Sequence, residues 1–195
     1  QEWYLGTTLY EKVEKLTPLS IPKSGFIYEE MILRPVEEIK TLLNDIKQAG
    51  FNIAIATGRP RTETIVPFES FGLKTFFNEK HIVTASEVLK AESVFPKEGS
   101  LGKPNPFSYI ATLYGNNERD YLHYIQNQTH IVNEDDVFIV GDSLADLLCA
   151  KTIGATFIGT LTGLSGKGAK EELEQHGADY IVNHICDIRH ILLNK

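Results

Sequence analysis

Five short apolar runs, each closed by small or polar residues and separated by longer helical stretches, limit what this chain can fold into. Phe51 to Ala56 (FNIAIA) runs into Thr57-Gly58-Arg59-Pro60, and Val137 to Val140 (VFIV) runs into Gly141-Asp142-Ser143. His81 to Ala85, Thr156 to Ile158 and Tyr180 to Val182 are the other three. Runs that are apolar throughout, instead of alternating, belong to strands covered on both faces, and strands spaced by helices belong to parallel sheets. The expected fold is therefore α/β: a doubly wound, Rossmann-like parallel sheet from about residue 31 to residue 195.

The helical stretches carry their own signatures. Val36, Ile39, Leu42, Leu43 and Ile46 form one apolar stripe behind Pro35, with Gly50 as the stop. Pro106 to Tyr114, Asp146 to Ile153 and Lys170 to His176 read as further helices, halted by Gly115, Gly154 and Gly177. Upstream, Leu5, Leu9, Val13 and Leu16 predict one helix from Trp3 to Leu16, followed by a breaker-rich connection to Gly25. Residues 1–30 thus read as a separate helical element and 31–195 as the α/β unit.

Charge and composition narrow the functional classes. A formal net charge of -7 disfavours a general nucleic-acid or anionic-membrane binder, because either needs a basic face. No run is long and apolar enough for a transmembrane helix, and the expected setting is the cytoplasm. Cys149 and Cys186 have neither metal-ligand spacing nor a disulfide framework and read as reduced, buried thiols.

In open parallel sheets ligands bind at the carboxyl ends of the strands, so polar residues there are the candidates. Asp142 closes one strand and Asp146 follows one helical turn later. Two carboxylates that close call for a cation between them, and Mg²⁺ suits a site that keeps water and a substrate phosphate. The alternative is that Asp142 caps the next helix and Asp146 is an acid favoured by its dipole. Thr57 offers a hydroxyl and, with Gly58 and Arg59, free N–H groups for phosphoryl oxygens, or else forms a simple turn. Lys103, between Gly102 and Pro104, is either a charge-balancing cation in a cleft or a solvated surface lysine. Gly163 to Gly168 (GLSGKG) fails as a Walker loop, since Lys167 is followed by Gly168 and the leading glycine is misplaced.

In this order IATGRP, LGKPNP and VFIVGDSLADLLCAKTIGA resemble motifs two, three and four of the haloacid-dehalogenase-like (HAD) superfamily. The layout is most similar to the branch with a helical cap between motifs one and two, as in phosphoglycolate-phosphatase-like proteins. The resemblance implies hydrolysis of a phosphate monoester through an aspartyl-phosphate, with a second aspartate as general acid and base. It implies that Thr57, Gly58, Arg59 and Lys103 bind the phosphorylated small-molecule substrate, with Thr57 and Lys103 serving catalysis, and that Asp142 and Asp146 hold Mg²⁺. Residues 1–30 become the tail of the cap.

The family's first motif, an apolar strand ending in Asp-x-Asp, has no counterpart here. Asp45 falls inside a helix, and Asp135-Asp136 precede a strand instead of closing one. The resemblance places that motif upstream of Gln1 and its strand between those ending at Thr57 and Gly141. The expectation is a C-terminal portion whose nucleophile comes from a missing N-terminal fragment of the same protein. Two other readings stand beside it: a non-catalytic HAD-like module that binds phosphate, and an unrelated doubly wound binding domain.

Overall fold

A computed structural model describes residues 1–19 and 21–193. Two short helices come first, α1 (Glu2–Leu5) and α2 (Thr7–Glu14). The single helix expected over Trp3–Leu16 is broken at Gly6, whose φ of 76° leaves the helical region. The break lets residue 6 pair with Ser24 in an isolated antiparallel bridge. Gly25 completes that crossing: a Cβ there would lie 2.2 Å from the carbonyl carbon of Leu5 and the carbonyl oxygen of Tyr4. The residues before Pro35 thus fold on themselves, and none of those described joins a sheet.

The α/β unit follows in the expected order. It runs α3 (Val36–Gln48), β1 (Ile55–Ala56), α4 (Arg61–Ser70), β2 (Ile82–Val83), α5 (Ala85–Val94), α6 (Phe107–Tyr114) and α7 (Tyr121–Gln126). It continues with β3 (Phe138–Gly141), α8 (Leu144–Ile153), β4 (Thr156–Thr160), α9 (Ala169–Gln175), β5 (Tyr180–Val182) and α10 (Arg189–Leu192). All strand pairings are parallel.

Strand order is the informative feature. β1 pairs with β2, while β3, β4 and β5 form a second sheet in that order. Among the described residues β1 and β3 belong to separate sheets and do not pair. The expected strand Phe51–Ala56 shrinks to Ile55–Ala56, the two residues that pair with Ile82 and Val83 of β2. Burial follows the same line. Every residue of β4 is buried, whereas β1 and three of the four residues of β3 are only half-buried despite their apolar sequence.

Two cores show that the unit is wound on both faces. Paired residues Ile139 and Phe157 point into one core with Phe107, Ile110, Leu147 and Leu173 from α6, α8 and α9. The next pair, Val140 and Ile158, points the opposite way, into a core with Leu42 and Ile46 of α3 and Leu192 of α10. This is the two-residue period of a strand resolved into two helix layers. Both cores also reach the β1–β2 side, one through Val83 and the other through Phe51 and Ile53. Phe51 and Phe138 meet edge to face, ring centroids 6.1 Å apart, so helices and large side chains bridge the division between the sheets.

Candidate active site

The site forms where the carboxyl ends of β1 and β3 face each other. β3 ends at Gly141, and α8 begins at once with Ser143 as its N-cap. The Ser143 and Asp146 side chains form a reciprocal capping box, with Ser143 Oγ donating to Asp146 Oδ2 at 2.8 Å. Capping is therefore done by Ser143, and the alternative in which Asp142 caps the helix does not hold. Asp146 folds back so closely over the strand tip that a Cβ on Gly141 would lie 2.5 Å from its own Cβ.

Lys103 reaches this point from the segment before α6. Its ammonium donates to Asp146 Oδ1 at 2.8 Å, to the Tyr109 hydroxyl at 3.1 Å and to the Ala56 carbonyl at 3.0 Å. An ammonium has three protons, and here each has an acceptor. Tyr109 in turn donates to Asp146 Oδ1 at 2.8 Å. One lysine thus ties the last residue of β1 to the carboxylate that follows β3. The reading of Lys103 as a solvated surface charge is excluded by this cradle.

The electrostatics follow from burial. Burial alone would raise the Asp146 carboxyl. The Lys103 charge, with hydrogen bonds from Lys103, Ser143 and Tyr109, outweighs it and holds Asp146 below the usual carboxylate range. Burial, reinforced by the Asp146 charge, pushes the Tyr109 hydroxyl far up, so it stays protonated as a donor. Cys149 is buried, donates to the Pro104 carbonyl at 3.3 Å and is pushed up to about 12, mainly by burial, which makes it an inert packing thiol. Cys186 is also a free thiol but only half-buried.

A group held charged in the folded state contributes stability above its unfolded pKa and loses it as pH falls through the folded value. The advantage of wild type over Asp146→Asn in urea midpoint is therefore expected to be full at neutral pH. It should shrink as pH drops below about 4, the ordinary aspartate value. A difference that is flat from pH 7 to pH 2 contradicts this assignment.

Thr57 sits at the tip of β1. Its N–H donates to the Val83 carbonyl at 3.0 Å, and its hydroxyl accepts from the Arg59 N–H at 3.2 Å, leaving the hydroxyl proton free to donate elsewhere. At Gly58 a Cβ would meet nothing within 4 Å, so the space before this turn is open. The Arg59 side chain reaches the N-terminal element. It pairs with Glu30, Nη1 to Oε2 at 3.3 Å, and also donates to the Tyr4 hydroxyl, which itself donates to Glu30. Burial, with the bond to Glu30, pushes Tyr4 up to about 12. Arg59 thereby links the turn after β1 to the N-terminal element.

The chain's own residues fit part of a Mg²⁺ site. Asp142 sits at the strand tip beside Asp146, but both oxygens of Asp146 are already engaged by protein donors. No group of three or more His, Cys, Asp or Glu residues able to hold a metal occurs among the described residues. The donor set supplies Asp142 and, behind it, the Asp146–Lys103 pair.

Tyr109 and Ser143 join this cluster although no motif names them. Ser143 opens a Ser-x-x-Asp capping signal. Tyr109 carries no local signal; only the tertiary fold brings it to Asp146.

Comparison with known proteins agrees with this geometry. The HAD-hydrolase-like family profile matches residues 100–188, which contain Lys103, Asp142 and Asp146. The chain is 23% identical over 154 residues to phosphoglycolate phosphatase of Vibrio parahaemolyticus, covering 79% of this chain and 54% of that protein. It is 23% identical over 155 residues to the Vibrio vulnificus enzyme, covering 80% and 55%. The chain thus spans about half the length of the curated relatives it matches. An X-ray structure of a structural-genomics target is 63% identical, with a TM-score of 0.96, and is matched over 99% of this chain and 51% of its own length. A HAD family hydrolase from Deinococcus radiodurans, solved with bound phosphate and sodium, is 20% identical with a TM-score of 0.56, covering 81% of this chain and 58% of that one. At that identity the likeness concerns the fold alone. The strand-tip constellation, the HAD-hydrolase-like profile over residues 100–188 and the phosphoglycolate phosphatase relatives point the same way: the chain is similar to HAD-like hydrolases and has the fold of their Rossmann-like core.

Proposed function

We propose that this chain is the C-terminal portion of a Mg²⁺-dependent phosphohydrolase acting on a small phosphorylated metabolite in the cytoplasm. The carrying observation is the division of one doubly wound unit into two parallel sheets whose facing strands, β1 and β3, do not pair, with Lys103 spanning their tips. A parallel strand inserted there would pair with both, and its end would lie beside Lys103. On this reading that strand comes from a segment outside residues 1–195, bears the nucleophilic aspartate and ends the half-burial of β1 and β3. Residues 1–30 are the tail of the cap, and 31–195 the core without that strand.

The division of labour follows from the geometry. Thr57 Oγ1 donates to a phosphoryl oxygen, with the Gly58 N–H beside it. Lys103 balances the charge that gathers on the phosphoryl group as the aspartate attacks and the ester P–O bond breaks. The second aspartate of the incoming segment protonates the leaving oxygen and then takes a proton from the water that cleaves the aspartyl-phosphate. Asp146 holds Lys103 in place and Asp142 contributes a carboxylate to Mg²⁺. When bound, the ion would neutralise the phosphoryl oxygens as a Lewis acid. A non-catalytic phosphate-binding module would have the same strand in that place without the two aspartates.

The full-length gene product is expected to hydrolyse phosphate monoesters in Mg²⁺ and to lose that activity in EDTA. Retained binding of inorganic phosphate without turnover, across a panel of sugar and short-acid phosphates, would favour the module instead.

A further inference from the structure

The loop between β4 and α9, residues 161–168, has no part in the motifs above, yet it runs against the proposed ion site. A Cβ built on Gly163 would lie 1.9 Å from Asp142 Oδ2, 2.6 Å from its Cγ and 2.8 Å from its Cβ. Gly163 is not among the glycines with positive φ, so it is needed for room and not for an unusual backbone conformation. Two hydroxyls fix the base of this loop against the β3 tip: Thr162 Oγ1 donates to Thr160 Oγ1 at 3.3 Å, and Thr160 Oγ1 donates to the Gly141 carbonyl at 3.5 Å. Thr160 is buried, which holds that anchor in place. The backbone at 163 is therefore a wall set close behind one face of the Asp142 carboxylate.

We infer that Gly163 is a positioning residue for the metal site: its bare backbone sets the direction in which Asp142 presents its carboxylate to a divalent cation. The inference rests on the metal role proposed for Asp142. A side chain at 163 meets that carboxylate, so the carboxylate or the loop must shift, and either shift changes how Asp142 faces the ion. A ligand turned away from the ion is lost to it, and Mg²⁺ and Mn²⁺ tolerate such misplacement poorly. Gly168, in the same loop, is the internal control: its φ is -66° and a Cβ there would meet nothing within 4 Å.

The test is Mn²⁺ binding to the full-length gene product without substrate, followed by electron paramagnetic resonance and calorimetry. Gly163→Ala is expected to weaken Mn²⁺ binding about tenfold to a hundredfold, the range seen when the support of a metal ligand is disturbed. Its metal-free thermal midpoint should stay close to wild type, and Gly168→Ala should bind as wild type does. Equal Mn²⁺ affinity in Gly163→Ala and wild type overturns the inference and leaves the proposed function standing. No Mn²⁺ binding by wild type overturns the metal role of Asp142 and the inference with it. If Gly163→Ala does not fold, the double variant Asp142→Gly with Gly163→Ala decides. Recovery of folding supports the steric conflict, and failure to recover overturns it.

Discussion

Incubated alone with p-nitrophenyl phosphate and Mg²⁺, the 195-residue chain is expected to release nitrophenol no faster than buffer. The full-length gene product should do so by a margin of several orders of magnitude. The expectation follows from the site itself. Among the described residues Thr57, Lys103 and Asp142 bring a hydroxyl, a cation and a carboxylate to the facing strand tips, and on the proposed reading the aspartate that attacks phosphorus comes from outside them. Removing the nucleophile of a covalent hydrolase costs on the order of 10⁴ to 10⁶ in turnover, because the remaining groups stabilise a transition state that is never reached. Adding the upstream segment in trans should restore part of the activity, since both cores already bridge the two sheets. Mg²⁺-dependent turnover by the chain alone, abolished by Asp142→Asn, would show that the nucleophile lies within residues 1–195.

Lys103→Met should harm the protein twice. Asp146 has a side chain only 6% exposed and would lose the cation that offsets its burial. Breaking a buried pair by removing one partner costs about 3–5 kcal/mol, more than a surface pair could supply. The urea midpoint should fall accordingly, and the loss should be smaller for Lys103→Met combined with Asp146→Leu, which removes the orphaned charge. Turnover of the full-length protein should fall about 10²–10³-fold through loss of charge balance at the phosphoryl group. Lys103→Arg should not rescue it, because a planar guanidinium cannot meet the carbonyl of Ala56, the hydroxyl of Tyr109 and the carboxylate of Asp146 in the same directions. Unchanged stability in Lys103→Met would mean that the Lys103–Asp146 contact is incidental.

Much of this was legible because strands and their ends announce themselves locally. VFIV followed by Gly-Asp-Ser puts a carboxylate at a strand tip whatever surrounds it, and Tyr180–Val182 falls as expected. The stripe from Val36 to Ile46 marks α3 because its apolar spacing has one solution. What was hidden depends on tertiary contact. Gly6 reads as tolerable inside a helix, and only its crossing with Ser24 and Gly25 explains why the helix stops there. The FNIAIA run has the composition of a full central strand, yet just two residues are in a ladder, because ladder length depends on neighbours. Helices α5 and α7 went unassigned between clearer signals, although Thr84 and Glu87 form a capping box at the start of α5. Tyr109 and Gly163 act on partners 37 and 21 positions away, Asp146 and Asp142, and no periodicity encodes such a meeting.

The central claim is that a strand from outside residues 1–195 carries the nucleophile to the division between β1 and β3. Its most direct test is to trap the phosphoenzyme of the full-length gene product during turnover, reduce the acyl-phosphate with borohydride and map the modified peptide. The account predicts a single modified aspartate outside residues 1–195, with labelling diminished in Lys103→Met. Modification of Asp142, Asp146 or any other residue of this chain would contradict it, as would active turnover with no trapped intermediate.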